Sequence, residues 1–281
     1  MREDLKARWD SSNSLMGGKN DLTMVTFSDY PVNKSSVYVV IPCYNEKQNL
    51  PRLMNDISLV LSKIMPFEII VVNDGSSDDS DIVLTNLAIK FPIRLLHHKQ
   101  NMGLSSALKD GLLFAITIAR SNDIVITMDA DNTHNSTYLR KMIETVHQGA
   151  DIVIASRYVV GGLQIGVSNN RIMLSKWVNY ILNLLSGQKI KDLTSGYRCY
   201  RASILKKGLE KYNSHFIDAK GFEVQTELLL KLSSISRNIH EIPFKLRYDE
   251  KQGKSKMPLF ETIKNYVLLS PKILVWRRQK K

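Results

Sequence analysis

The sequence predicts an α/β fold, a single domain built on a mostly parallel central sheet flanked by helices. Three observations predict it. Short β-branched runs alternate with amphipathic segments through the middle of the 281-residue chain, the pattern of successive β-α-β units. Polar, turn-forming motifs follow the first, second and fourth of those runs, so they converge on one edge, where open sheets of this kind bind ligands beyond the carboxyl ends of their strands. No fixed-period repeat and no low-complexity tract suggests a solenoid or coiled coil instead.

Taken in order, residues 1–35 mix charge with Ser, Asn and Gly without a sustained apolar period, which predicts a poorly ordered leader. Its start, MREDLKARWD, is too charged for the apolar core of a secretion signal. Buried strands are expected at VYVVI (37–41), EIIVV (68–72), IRLLH (93–97), DIVITM (123–128) and DIVIAS (151–156). Between the first two, Leu50, Leu53, Met54, Ile57, Leu61 and Ile64 recur at spacings of three and four and predict a helix over 49–63. Residues 81–90 and 105–120 carry similar patterns. The domain is expected over 36–257, followed at 258–281 by an amphipathic helix and a basic tail. In that last segment Leu259, Phe260, Ile263, Tyr266 and Val267 form one apolar stripe ahead of Arg277, Arg278, Lys280 and Lys281. The segment VLLSPKILVW is interrupted by Ser270, Pro271 and Lys272, well short of the roughly 18–20 apolar residues a bilayer span needs.

A hydrophobic fraction of 43% is ample for a buried core, and a formal charge of +12 with pI near 9.5 predicts an anionic partner. Cys43 and Cys199 are the two cysteines, with neither zinc-site nor disulfide spacing, so the expected setting is reducing and cytoplasmic. No nucleic-acid motif accompanies the charge.

The chemistry is concentrated at the strand ends. In MDADNTH, Asp129 and Asp131 follow an apolar run. In extended chain, residues at i and i+2 share a face, so the two carboxylates point to one spot with Ala130 behind. Such a pair suits Mg²⁺ or Mn²⁺ shared with substrate phosphates. On its own the pair reads more readily as a solvated turn. Pro42-Cys43-Tyr44-Asn45-Glu46 follows the first strand. Asn73-Asp74-Gly75-Ser76-Ser77-Asp78 follows the second, with Gly75 for the turn, Asp78 to cap the next helix and Asp74 placed to accept hydrogen bonds from a nucleobase. Asn101-Met102-Gly103-Leu104-Ser105 opens a further helix, with Gly103 permitting close approach and Ser105 a candidate cap.

In this order VIPCYNE, VVNDGSSD, QNMGLSSAL and MDAD resemble the signatures of the family 2 inverting nucleotide-sugar glycosyltransferases, whose core is a GT-A fold. Ser156-Arg157-Tyr158, Gly161-Gly162, Arg171, the block Asp192-Leu193-Thr194-Ser195-Gly196-Tyr197-Arg198, Lys220-Gly221-Phe222, Gln225, Glu227, Ile242-Pro243 and Gly253-Lys254-Ser255-Lys256 further resemble the dolichol-phosphate mannosyltransferase branch. The resemblance spans roughly residues 37–270. It implies a metal at Asp129 and Asp131, a nucleotide site made of Pro42, Tyr44, Glu46, Asn73, Asp74, Gly103 and Ala130, and GDP-mannose and polyprenyl phosphate as substrates. A phosphate acceptor is already an anion and needs cations rather than a general base. Arg157, Arg171 and Arg198 are candidates to clamp it, the resemblance favouring the first two, with Ser195, Arg247, Lys254 and Lys256 as further acceptor or loop contacts. Thr133 stands where the branch often has Gln or Ser, and His134 is assigned no chemistry. A lipid acceptor implies peripheral attachment to the cytoplasmic face of a membrane, and the 258–281 segment suits it. Two other readings stay open: transfer from a UDP-sugar to a hydroxyl, with Glu223 or Glu227 as base, and a non-catalytic anion binder.

Overall fold

A computed structural model describes residues 22–26, 35–251 and 259–278. The core elements alternate as the periodicity predicts. Strand β2 (Val37–Cys43) leads to helix α1 (Leu50–Leu61), β3 (Phe67–Asp74) to α2 (Ser80–Ala88), β4 (Ile93–His98) to α3 (Leu104–Ile118), and β5 (Ile124–Thr127) to α4 (Tyr138–His147). Then come β6 (Ile152–Ser156), β7 (Leu163–Ile165), α5 (Asn169–Ser186), β8 (Arg198–Arg201), α6 (Ala202–Tyr212), α7 (Val224–Leu232), β9 (Ile239–Pro243) and β10 (Lys245–Arg247). Helix α8 (Leu259–Arg278) closes the described chain.

Among the described residues the main sheet has the order β1-β4-β3-β2-β5-β8-β6-β9, where β1 is Leu22–Thr26, and β7 and β10 form a separate parallel pair. Residues 22–26 thus lie in a strand, antiparallel to β4, inside the stretch expected to be a poorly ordered leader. Its neighbour β4 would otherwise be an edge with unpaired backbone groups. Strands β2 to β5 are mutually parallel, and β8 runs antiparallel between β5 and β6.

That reversal positions the site. An antiparallel strand enters from the edge at which its neighbours leave, so the Asp192–Tyr197 segment leading into β8 arrives where β5 and β6 end. Two apolar layers hold the sheet. Val39, Ile41, Ile69 and Val71 face α1 and α4, and Val40, Val72 and Val125 face Leu108, Leu112 and Phe114 of α3 on the other side. Strand residues buried on both faces read as continuous apolar runs, which is why these strands were legible.

Helix α8 buries a different face from the one its sequence suggests. Leu269, Ile273 and Trp276, at spacings of four and three, are buried, whereas Val267 is 65% exposed. The helix continues through Pro271, and the Ser270 hydroxyl donates to the Tyr266 carbonyl at 3.0 Å. Among the described residues no helix is long and apolar enough to cross a membrane.

Candidate active site

The chain visits β3 and β4 before returning to place β5 on the other side of β2, so the crevice at the carboxyl ends of β2 and β5 is a topological switch point. A cavity of about 510 Å³ opens there. Its wall gathers Pro42, Tyr44 and Glu46 after β2, Asp74 at the end of β3, Gly103 at the start of α3, and Asp129, Ala130 and Asp131 after β5.

The two Ser-rich and Asn-rich turns hold each other. Asn45, at φ +52°, accepts from the Ser77 and Asp78 amides at 2.7 and 3.2 Å, and its own amide donates to the Ser76 hydroxyl at 3.0 Å. The Glu46 amide donates to Ser80 Oγ at 2.9 Å, and Asp78 accepts from the Ser80 amide at 2.9 Å, but the cap position of α2 belongs to Asp79 and not, as expected, to Asp78. Gly75 sits at φ +62°, and a Cβ there would lie 2.3 Å from the Gln100 carbonyl carbon, so no other residue fits. Asn73 is spent inside this turn. Its side chain accepts from the Ser76 amide at 3.2 Å and donates to Asp81 at 3.1 Å, and it does not line the cavity, against the expectation that it binds nucleotide. Ser105 is no cap either: its hydroxyl donates to the Ala219 carbonyl, and Gly103 occupies the cap position at φ +88°.

The acidic pair meets through a bend rather than through strand alternation. The chain turns at Ala130–Asn132, with Asn132 at φ +61°, and Ala130 joins both acids on the cavity wall instead of pointing behind. The Asp129 side chain is 44% exposed, and His134 faces it, Nε2 to Oδ2, at 3.5 Å. His134 Nδ1 accepts from the Asp129 amide at 3.0 Å, and the ring stacks on Tyr197 at 4.8 Å, so it shapes the bend. Burial among protein atoms and the negative charge of Asp131 raise the Asp129 carboxyl above its ordinary value, outweighing His134 and the nearby cations. For Asp131, burial works in the same direction, but Lys251 and the Thr133 hydroxyl, 2.7 Å from Oδ1, override it and hold the carboxyl low. Lys251 pairs directly with Asp131 Oδ2.

This donor set fits a hard divalent ion. Among the described residues no group of three or more His, Cys, Asp or Glu can hold a metal, so a soft, protein-enclosed site is absent there. Two carboxylates, one already carrying a cation, suit an ion that takes its remaining ligands from phosphate and water.

The same cavity is also lined by basic and apolar side chains. Arg157 is clamped by Asp192, Nε to Oδ2 at 2.8 Å and Nη2 to Oδ1 at 2.7 Å, and Nη2 also donates to Thr194 at 2.7 Å. The Asp192 side chain is wholly buried. Burial alone would lower the Arg157 value, but Asp192 outweighs it, so the guanidinium is fixed as a cation at the cavity wall. Asp192 is itself placed by Glu241, whose carboxylate accepts the Lys191 and Asp192 amides at 2.8 and 2.9 Å. Arg171 Nη1 donates to the Tyr248 hydroxyl at 3.4 Å, and the Tyr248 ring also lies under the Lys251 ammonium at 5.5 Å. Leu174 and Val178 of α5 and Ile263 and Tyr266 of α8 add an apolar wall beside these cations. Ser195 lines the cavity and donates to the Ala155 carbonyl at 2.7 Å.

Two expected contacts fall elsewhere. Arg198 is completely buried and donates to the Leu193 carbonyl at 2.7 Å and to the Gln225 carbonyl, so it braces the Asp192–Tyr197 segment and cannot reach a ligand. Arg247 pairs with Asp249 at 2.8 Å and Glu250 at 3.2 Å outside the cavity lining. Lys254 and Lys256 lie outside the described residues. Glu223 and Glu227, the candidate bases of the hydroxyl-acceptor reading, do not line the cavity. Glu223 accepts the Lys220 and Gly221 amides at 3.0 and 3.1 Å, and Glu227 pairs with buried Lys231 at 2.7 Å. Lys251 and Tyr248 are the functional candidates that the sequence reading missed; Asp192 was singled out within its block, but its pairing with Arg157 was not.

Residues 38–209 match the family model described as Glycosyl transferase family 2. The chain is 33% identical to a polyprenol monophosphomannose synthase of Mycolicibacterium smegmatis over 78% of this chain and 80% of that one. It is 30% identical to an undecaprenyl-phosphate mannosyltransferase of Micrococcus luteus over 79% and 87% of the two chains. It is 32% identical to a dolichol-phosphate mannosyltransferase of Pyrococcus furiosus over 85% of this chain and 64% of that one. In structure it is similar to glucosyl-3-phosphoglycerate synthase from Mycobacterium tuberculosis in complex with Mn²⁺, UDP and phosphoglyceric acid, with a TM-score of 0.60 at 18% identity over 96% and 82% of the chains. That likeness is one of fold.

Proposed function

The chain belongs to glycosyl transferase family 2, and on that premise we propose that this enzyme moves a mannosyl group from a nucleotide diphosphate sugar, GDP-mannose being favoured, to polyprenyl phosphate. The observation that carries the reading is that one cavity gathers the Asp129 and Asp131 carboxylates, the Arg157 and Arg171 guanidiniums and the apolar side chains of Leu174, Val178, Ile263 and Tyr266. The names of the mannosyltransferase relatives support the same substrates.

In this reading Asp74 and the Pro42–Glu46 turn hold the nucleoside. Asp129 and Asp131 would hold Mg²⁺ or Mn²⁺, which neutralises the departing diphosphate when bound. Arg157 and Arg171 orient the acceptor phosphate. One of its oxygens donates a lone pair to the anomeric carbon, the carbon–oxygen bond to the diphosphate breaks, and its electron pair leaves with the nucleoside diphosphate, so configuration inverts. A phosphate oxygen carries its own charge, so no side chain has to take a proton. This agrees with Glu223 and Glu227 being committed elsewhere, which weighs against a hydroxyl acceptor.

Peripheral attachment at the cytoplasmic face of a membrane belongs to the same proposal. Helices α5 and α8 pack together, and α5 exposes Trp177, Tyr180 and Leu184 while α8 exposes Val267, Leu268 and Val275. Apolar side chains on adjoining helices next to the lipid-phosphate end of the cavity suit an interfacial seat.

The test is transfer of radiolabelled sugar from GDP-mannose, UDP-glucose or UDP-N-acetylglucosamine to polyprenyl phosphate with Mg²⁺ or Mn²⁺. Lipid-extractable label from GDP-mannose is the expected result. Label that appears only in water-soluble acceptors would overturn the reading.

A further inference from the structure

Asp74 does not face the cavity alone. It is in register with His98 at the ends of neighbouring parallel strands, so their side chains project to the same face of the sheet. His98 Nδ1 lies 2.6 Å from Asp74 Oδ1, and Nε2 lies 2.9 Å from Asp110 Oδ2 on α3. All three side chains are at most 4% exposed. Asp74 also accepts the Met102 amide on Oδ1 and the Gly103 amide on Oδ2, both at 2.8 Å. The turn that opens α3, whose Asn101 and Gly103 line the cavity, is therefore fastened to Asp74.

A neutral imidazole has one N–H and one lone pair. Between two buried carboxylates it would aim the lone pair at one of them, setting two acceptors against each other at hydrogen-bond distance. Only the imidazolium donates to both. The charged groups facing the ring are Asp74 from β3 and Asp110 from α3. Burial alone would lower the His98 value, but its bonds to Asp110 and Asp74 overcome that and raise it to about 9.

We propose that His98, held by Asp110, is a positioning residue of the nucleotide site: as a buried imidazolium it fixes Asp74 and the Asn101–Gly103 turn in the geometry that accepts the nucleoside. The inference rests on the nucleotide reading of this cavity. The sign follows from the raised value. The stability supplied by the pair is fully present below pH 6.5, the ordinary histidine value, and is lost as pH rises through about 9, whereas nucleotide affinity, set against the free folded protein, holds up to about that midpoint and falls above it.

The experiment is calorimetric titration of GDP and UDP with Mg²⁺ from pH 7 to pH 10, alongside an NMR titration of the histidine rings without nucleotide. Wild-type affinity is expected to fall by up to about tenfold per pH unit above the His98 midpoint, the limit for one linked proton. The bases lose a ring proton in the same alkaline range, so the decisive comparison is with Asp110→Asn. There the amide donates to a neutral His98, Asp74 keeps its N–H partner at every pH, and only the loss due to the base remains. The His98 midpoint also moves down. His98→Gln is expected to weaken nucleotide binding at pH 7.5, and adding Asp110→Asn to restore it, because the glutamine oxygen then accepts from the asparagine. Identical alkaline profiles in wild type and Asp110→Asn would overturn the positioning role while leaving the nucleotide site intact. Absence of binding of either nucleotide at pH 7.5 would sink both.

Discussion

Asp131→Asn is expected to reduce sugar transfer by about 10²- to 10³-fold, the scale for removing one preorganised charge partner from a transition state. The substitution is close in shape. An amide oxygen still accepts from the Thr133 hydroxyl, now 2.7 Å from Oδ1, so the bend at Ala130–Asn132 has no reason to unfold. What disappears is one of two negative charges, together with the counter-charge of Lys251. Metal-dependent nucleotide binding should weaken along with transfer, and thermal stability should fall as well, because Lys251, only 12% exposed, loses its carboxylate partner. Unaltered transfer with normal metal dependence would remove Asp131 from the proposed metal site.

The second large effect is expected from Asp192→Asn. Arg157 keeps its place but loses the carboxylate that receives two of its nitrogens. Breaking a buried pair on one side costs about 3–5 kcal/mol, and the cost here lies toward the lower end because Arg157, 16% exposed, still meets the cavity. The variant should unfold at lower denaturant concentration, and its KM for polyprenyl phosphate should rise more than its KM for the sugar nucleotide. Combining it with Arg157→Met removes the stranded charge. That double variant should regain much of the stability and none of the transfer. Recovery of transfer would mean that Arg157 is a structural cation and not an acceptor contact.

The donor half of the cavity was readable because its determinants are local. β-Branched runs buried on both faces announce β2 to β5, and each motif lies within a few residues of its strand end, so a strand assignment also assigns the motif to the edge. The ion pairs of the cavity depend on residues distant in sequence. Lys251 meets Asp131 across 120 residues, and Arg157 meets Asp192 across 35. No periodicity signals either. Arg198 shows the same limit in reverse. An arginine after a glycine turn suggests an exposed cation, yet here the guanidinium is swallowed by the carbonyls it braces, because β8 enters between β5 and β6. For Asn73 the residue type was right for a turn, and the turn consumed its hydrogen bonds.

The same insertion has a consequence for how the chain is made. β5 and β6 do not pair with each other, so the backbone ladder between the two halves of the main sheet runs through Arg198–Arg201 alone. During synthesis β2 to β5 and their helices can assemble from near neighbours as they emerge, a fast, low-contact-order step. Until residue 201 has left the ribosome, β5 is an open edge, and β6 has no link to it. The part of the cavity built on β2 to β5 is therefore the early-folding unit, and the part that carries Arg157 can join it only after the four-residue β8 has slotted between β5 and β6.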